Sequence, residues 1–225
     1  MRAGLAAIAS FFLIAALAAQ SHEHGTIVGH VTLVRRVRGT QMPSNVYQPR
    51  SVNNSDADLI PEIKNVVVFL KGAPFAGPLP AMHEEIRQER EAFVPRVLPI
   101  TRGSTVVFPN SDPMFHNVFS LSSAATFDLG RYPMGRSRAE TFTKPGLVKV
   151  YCHIHSHMSA SVLVLDNPYF ATPDLEGTFT LPNLPAGSYA IVGWHERVGE
   201  RSEPIQVAAG KSASVELSLP FEDDK

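Results

Sequence analysis

The chain has 225 residues, 44% of them apolar, and a formal net charge of −1. That apolar content supports a packed core, and the near-zero charge excludes the strong field that draws proteins to nucleic acid or anionic membranes. A single cysteine, Cys152, excludes an internal disulfide.

The first residues, "MRAGLAAIASFFLIAALAAQ", carry one early positive charge at Arg2 and an apolar run over 5–19. The run ends in small residues, with Ala16-Leu17-Ala18 as a small-x-small cleavage signal. This plan predicts a secretory signal peptide over 1–19, and a mature chain beginning near Ala19 or Ser21. An uncleaved anchor is the alternative, but the run is short for a span and the polar "SHEHG" follows directly. No later segment approaches a span, so no stable membrane span is expected after cleavage. The two histidines of that stretch, His22 and His24, are expected in a terminal tail.

Cleavage leaves roughly 205 residues, the size of one large all-β domain or of one domain with a smaller companion. Short β-rich runs separated by Pro and Gly predict strands at 26–34, 65–72, 96–100, 104–110, 116–121, 139–143, 147–152, 159–166, 177–181, 188–195, 202–208 and 212–219. Many alternate apolar and polar residues at period two. Such strands at fairly even spacing predict an all-β sandwich architecture. The dense charges of "AMHEEIRQEREAF", 81–93, predict a solvated surface helix. Segment 40–60 lacks periodicity and reads as a loop.

A seam falls over 166–174, and the pattern changes beyond it. Gly177, Phe179, Leu181, Leu184 to Gly187 and Tyr189 form a Gly-x-Phe-x-Leu…Leu-Pro-Ala-Gly-x-Tyr pattern. It resembles the C-terminal half of the carboxypeptidase-regulatory, transthyretin-like β-sandwich, and implies a smaller β segment over 167–220. The strands at 26–34 and 65–72 are assigned to a first domain over 26–166, with its core at 64–166. The alternative gives them to the second sandwich, which is then discontinuous.

The chemistry concentrates in "KVYCHIHSHMSASVLVLD". Cys152 ends a predicted strand, and His153, His155, His157 and Met158 follow within six residues. A free thiol in an oxidising compartment is a liability unless a metal holds it or burial makes it inert. His155 at Cys+3 and Met158 at Cys+6 fall on one tight loop before the next strand. A second imidazole is available in "PNSDPMFHNVFSL", where His116 opens a strand. Thiolate, thioether and two imidazoles suit copper: a His2Cys set with a long sulfur contact favours one-electron transfer. Catalytic zinc asks for harder ligands and an open position. The plainer alternatives are that Met158 fills the core, that His116 is a hydrogen-bonded strand histidine, that His153 and His157 are merely exposed, and that His195 makes a local hydrogen bond.

"FHNVF" followed by "YCHIHSHM" resembles the cupredoxins, the type 1 blue copper proteins, with an amicyanin-like ligand loop. The resemblance runs over about 64–166 and extends to bacterial chains called methylamine utilization proteins. It implies a Greek-key β-sandwich holding one type 1 copper on His116, Cys152, His155 and Met158. Asn117 is implied to pin the ligand loop by hydrogen bonds. The extra imidazoles of His153 and His157 depart from the family pattern. The implied function is periplasmic transfer of single electrons, without an enzyme activity, between partners such as a dehydrogenase and a c-type cytochrome. Pro113, Met114, Phe115 and the surroundings of Ser156 are expected to form the apolar docking patch. The rival readings are a periplasmic copper carrier or storage protein, and a metal-free β-sandwich interaction or carbohydrate-binding module.

Overall fold

Alternation of inward and outward side chains sets the architecture. In β11, Gly146–Tyr151, the side chains of Val148 and Val150 are buried and those of Leu147 and Tyr151 exposed. That is the period of a pleated strand with one face on a core. The computed structural model describes residues 24–35 and 62–221. The predicted signal peptide and the loop at 40–60 lie outside the described residues. Among the described residues the chain is an all-β protein. The one helical piece among those residues is a 3-10 turn at Glu62–Asn65, and none of them forms a helix long and apolar enough to cross a membrane.

The first sandwich faces a five-stranded sheet against a three-stranded one. The larger sheet runs β6 (Val97–Thr101), β12 (Ser159–Leu165), β11, β8 (His116–Ser122) and β9 (Ala125–Tyr132). The smaller runs β10 (Ser137–Thr141), β7 (Thr105–Pro109) and β3 (His83–Glu85). A hairpin of β4 (Arg87–Glu89) and β5 (Ala92–Val94) accompanies them. Phe108, Phe142, Ile100, Val118, Val150 and Val162 are fully buried in the core between them.

The second sandwich pairs β14 (Thr178–Pro185), β1 (His24–Arg35) and β17 (Ser212–Phe221) in one sheet. Its other sheet runs β13 (Phe170–Ala171), β2 (Val67–Lys71), β15 (Gly187–His195) and β16 (Gly199–Val207). β1 lies parallel to β17 over its length, and β2 lies antiparallel to β15. This corrects the expected boundary at 26–166. The strands predicted at 26–34 and 65–72 hydrogen-bond to the C-terminal strands, so the second sandwich is discontinuous. The physical reason is core completion. The C-terminal strands alone cannot bury Phe179, Leu181, Ile191 and Leu217, and Ile27, Val31, Val68 and Leu70 close that core.

The two sandwiches share an apolar layer. Val66, Val68 and Leu70 of the 65–72 run face the second core, while Val67 and Phe69 turn the other way. They meet Val97, Leu163, Leu165, Val192 and Trp194, all buried. β2 and β12 are therefore covered on both faces, which is why they read as nearly continuous apolar runs. At the edge of this layer Glu196 accepts from Lys149 and from Arg96 Nε, the latter at 3.3 Å. Burial raises the Glu196 carboxyl, but Lys149 and Arg96 outweigh it and hold it below its ordinary range.

The helix expected over 81–93 is instead β3, β4 and β5. Ile86, Gln88 and Phe93 are buried, with exposed Arg87 and half-buried Glu89 between them. The inward positions 86 and 88 follow period two, and this tertiary demand overrides the helix propensity of Glu and Arg. β9 also lies in a stretch not predicted as a strand. His24, expected in a tail, is the first residue of β1 and pairs with Pro185.

Candidate metal centre

β8 and β11 are neighbours in the five-stranded sheet, which brings His116 and Cys152 to the same end of it. His116 is the first residue of β8 and faces inward with Val118 and Ser120. Cys152 lies one step beyond β11, on the inward side of Val148 and Val150. From there the chain makes a short loop into β12. Met158 N–H donates to His155 O at 3.0 Å, closing a turn, and Cys152 N–H donates to Met158 O at 3.4 Å.

His116 is fully buried, Cys152 is 4% exposed, and His155 is half-buried. Their donor atoms converge. Cys152 Sγ lies 3.9 Å from His116 Nδ1 and 4.0 Å from His155 Nδ1, and the two nitrogens are 3.0 Å apart. Among the described residues these three form the group able to hold a metal ion. The point equidistant from the corners of that triangle lies about 2.1 Å from each atom, within the range of metal–imidazole and metal–thiolate bonds. The donor set therefore fits a transition metal that tolerates both nitrogen and sulfur. Met158 is buried in the same core cluster as Cys152.

The tautomer of His116 is fixed from behind. Its Nε2–H donates to Asp112 Oδ2 at 2.7 Å, which leaves the lone pair on Nδ1, facing Cys152 and His155. Asp112 also accepts from the backbone N–H groups of Arg90, at 2.6 Å, and Glu91, at 2.9 Å. Burial raises the Asp112 carboxyl, but the Glu91 N–H, the His116 ring and the Arg90 N–H together hold it below its ordinary range. Asn110 secures the loop beneath, accepting from Asp112 N–H and donating to the carbonyls of Met114 and Tyr132.

Asn117 is buried beside His116. Its Oδ1 accepts from His153 N–H at 3.4 Å, next to Cys152, and its Nδ2 donates to Asp128 Oδ1 at 2.6 Å. Asp128 in turn accepts from Gly130 N–H at 2.8 Å. Gly130 sits at φ +68° where the β8–β9 register shifts, a bulge position that calls for glycine. Those two hydrogen bonds, Gly130 first, hold the Asp128 carboxyl below its ordinary range.

The remaining candidates lie apart from the cluster. The His153 ring is exposed and packs against Phe119 in a tilted contact, with centroids 3.7 Å and planes 60° apart. His157 is exposed, its Nε2 3.4 Å from Glu91 Oε2. His195 is buried in the second sandwich, with Nε2 3.3 Å from Glu62 Oε2 and Nδ1 accepting from Arg197 N–H. Burial pushes its pKa down, with Glu62 opposing. In the segments that flank His116 and His155, Phe115 is 56% and Ile154 40% exposed, and Pro113 and Ser156 are exposed. Sequence reasoning passed over Asp112. The signal was present as Asp four residues before His116, but the turn that orients it was read as helix.

Neither a protein-family model nor a curated protein matches the chain. Among solved structures, a copper-containing nitrite reductase from Thermus scotoductus SA-01 is similar over 42% of this chain, at 28% identity and a TM-score of 0.35. That overlap spans only 24% of the reductase. A purple cupredoxin from Nitrosopumilus maritimus is similar over 36% of this chain and 99% of its own, at 23% identity and a TM-score of 0.33. A copper(I) form of an amicyanin variant is similar over 44% of this chain and 98% of its own, at 20% identity and a TM-score of 0.35.

Proposed function

We propose that the protein is an exported, periplasmic carrier of single electrons, and not an enzyme, holding one copper ion on His116, Cys152 and His155 with Met158 as a weak fourth donor. The observation that carries this reading is the triangle of two imidazole nitrogens and one thiol sulfur, whose common centre lies about 2.1 Å from each. Copper, when bound, supplies one-electron exchange between two oxidation states. The chain's residues supply the rest. Asp112 and Asn117 hold the ligands in one arrangement, so little has to move when charge changes. The buried walls of Val118, Val150 and Phe108 keep bulk water away. His155 is half-buried, and Ile154, next to it in the chain, with Phe115 and Pro113, just before His116, offers exposed apolar contact for brief redox encounters. A dehydrogenase as donor and a c-type cytochrome as acceptor are the partners that this surface and the predicted export suit.

Voltammetry of the copper-loaded protein, with metal content measured before and after, tests the reading. An electron carrier gives a reversible one-electron couple and keeps its copper through repeated cycles. Loss of copper to a chelator on each reduction would mean a copper-delivery protein instead. Absence of any couple together with absence of copper uptake would leave a metal-free interaction module.

A further inference from the structure

Arg90 and Glu91 form the two-residue turn of the β4–β5 hairpin, and both lie in the left-handed region, at φ 54° and 56°. Such turns normally take Asn and Gly, because a side chain at positive φ is costly. Strain of this kind persists where the surroundings over-determine it, and it clusters at functional sites. Here the strained geometry aims two successive N–H groups at one carboxylate, that of Asp112, at 2.6 and 2.9 Å. That carboxylate is buried, and its remaining strong contact is His116 Nε2, at 2.7 Å. The Glu91 side chain also reaches His157 in the ligand loop. The hairpin turn thus touches both chain segments that carry the donor atoms.

We propose that Asp112, clamped by the Arg90–Glu91 turn, is the positioning residue that presents His116 Nδ1 to the metal and biases the centre toward its oxidised form. A carboxylate accepting the far N–H of a ligating imidazole fixes the ring and raises its donor strength. Its negative charge behind the ring favours Cu(II) over Cu(I). The inference rests on the copper reading above, and goes beyond it by assigning the origin of ligand orientation and of redox bias.

The test compares wild type with Asp112→Asn and, as a control, Arg90→Gly, which keeps the N–H and relieves the strain. Asp112→Asn is expected to weaken Cu(II) binding by about 10–100-fold while Cu(I) binding changes less. The reduction potential then rises, by about 59 mV for each tenfold difference between the two affinities. Arg90→Gly is expected to leave the affinities within twofold of wild type and the potential within the corresponding roughly 18 mV. An Asp112→Asn protein of unchanged potential and merely lower melting temperature overturns the proposal. A second measurement needs neither the variant nor copper. Long-range nitrogen NMR of metal-free wild type is expected to show His116 as the Nε2–H tautomer, and an Nδ1–H tautomer overturns it. Failure of wild type to take up copper through Cys152 would instead sink the copper reading, with the tautomer result still standing on its own.

Discussion

His116 Nδ1 and His155 Nδ1 lie 3.0 Å apart, although 39 residues separate them in the chain. His116 commits its other nitrogen to Asp112, so its Nδ1 carries a lone pair. A metal held by both nitrogens and by the Cys152 sulfur would need a lone pair on each Nδ1 and a thiolate at Cys152. Calorimetric titration with Cu(II) in buffers of different ionisation enthalpy should accordingly report about one proton released per copper. Release that is absent in wild type contradicts a thiolate ligand.

Asn117 ties the strand that carries His116 to the backbone after Cys152. Asn117→Ala removes a buried amide and its two hydrogen bonds, to His153 N–H and to Asp128, at a cost of about 1–3 kcal/mol. Urea unfolding of the metal-free variant measures that loss. Copper should also leave the variant faster than wild type, because the loop bearing Cys152 and His155 is no longer pinned. Wild-type stability together with a wild-type off-rate would remove Asn117 from the account.

Trp194, the one tryptophan of the chain, sits in the apolar layer between the two sandwiches. It is a built-in reporter for Leu163→Ala in the same layer, a substitution expected to cost about 2–5 kcal/mol. Wild type should unfold in one urea transition seen by fluorescence and by far-UV dichroism. The variant should show Trp194 fluorescence changing ahead of the dichroism, as the sandwiches part before they melt. Coincident transitions at wild-type midpoint contradict the shared layer.

Burial of His195 places its folded pKa below the ordinary 6.5. Between the two values the unfolded chain binds more protons, so stability rises with pH there. The contribution is complete above about 6.5 and is lost as pH falls toward the folded value. The lowered carboxyls of Glu196 and Asp112, with ordinary values of 4.5 and 3.8, add a second loss as pH drops below those values. Thermal melts of the metal-free protein should therefore show two successive declines on acidification. His195→Gln should abolish the first and keep the second.

The loop from Cys152 to Met158 was legible as a candidate metal-binding loop because its information is local. Cys152, His155 and Met158 fall within seven residues, and period two fixes which way Cys152 faces. His116 was legible as a strand opener with no partner nearby. Asp112 was not, because its role depends on a turn formed by Arg90 and Glu91, two residues that by propensity suit a helix. The strands of both sandwiches showed in their alternation, yet the assignment of β1 and β2 did not. Parallel pairing of β1 with β17 joins residues 26–35 to residues 212–221, and no local pattern encodes such a contact. The apolar run 65–72 did carry a signal of burial on both faces, since Val66, Val67, Val68, Phe69 and Leu70 are all buried, and it was read only as a strand.

The most direct test of the central claim is an optical and EPR titration of the purified protein with Cu(II), run beside Cys152→Ala. The account predicts an intense thiolate-to-copper band and a narrow copper hyperfine splitting, saturating at one copper per chain, both lost in the variant. A pale, nitrogen-dominated spectrum that survives the substitution would place copper on surface histidines such as His153 and His157, and would contradict the centre at His116, Cys152 and His155.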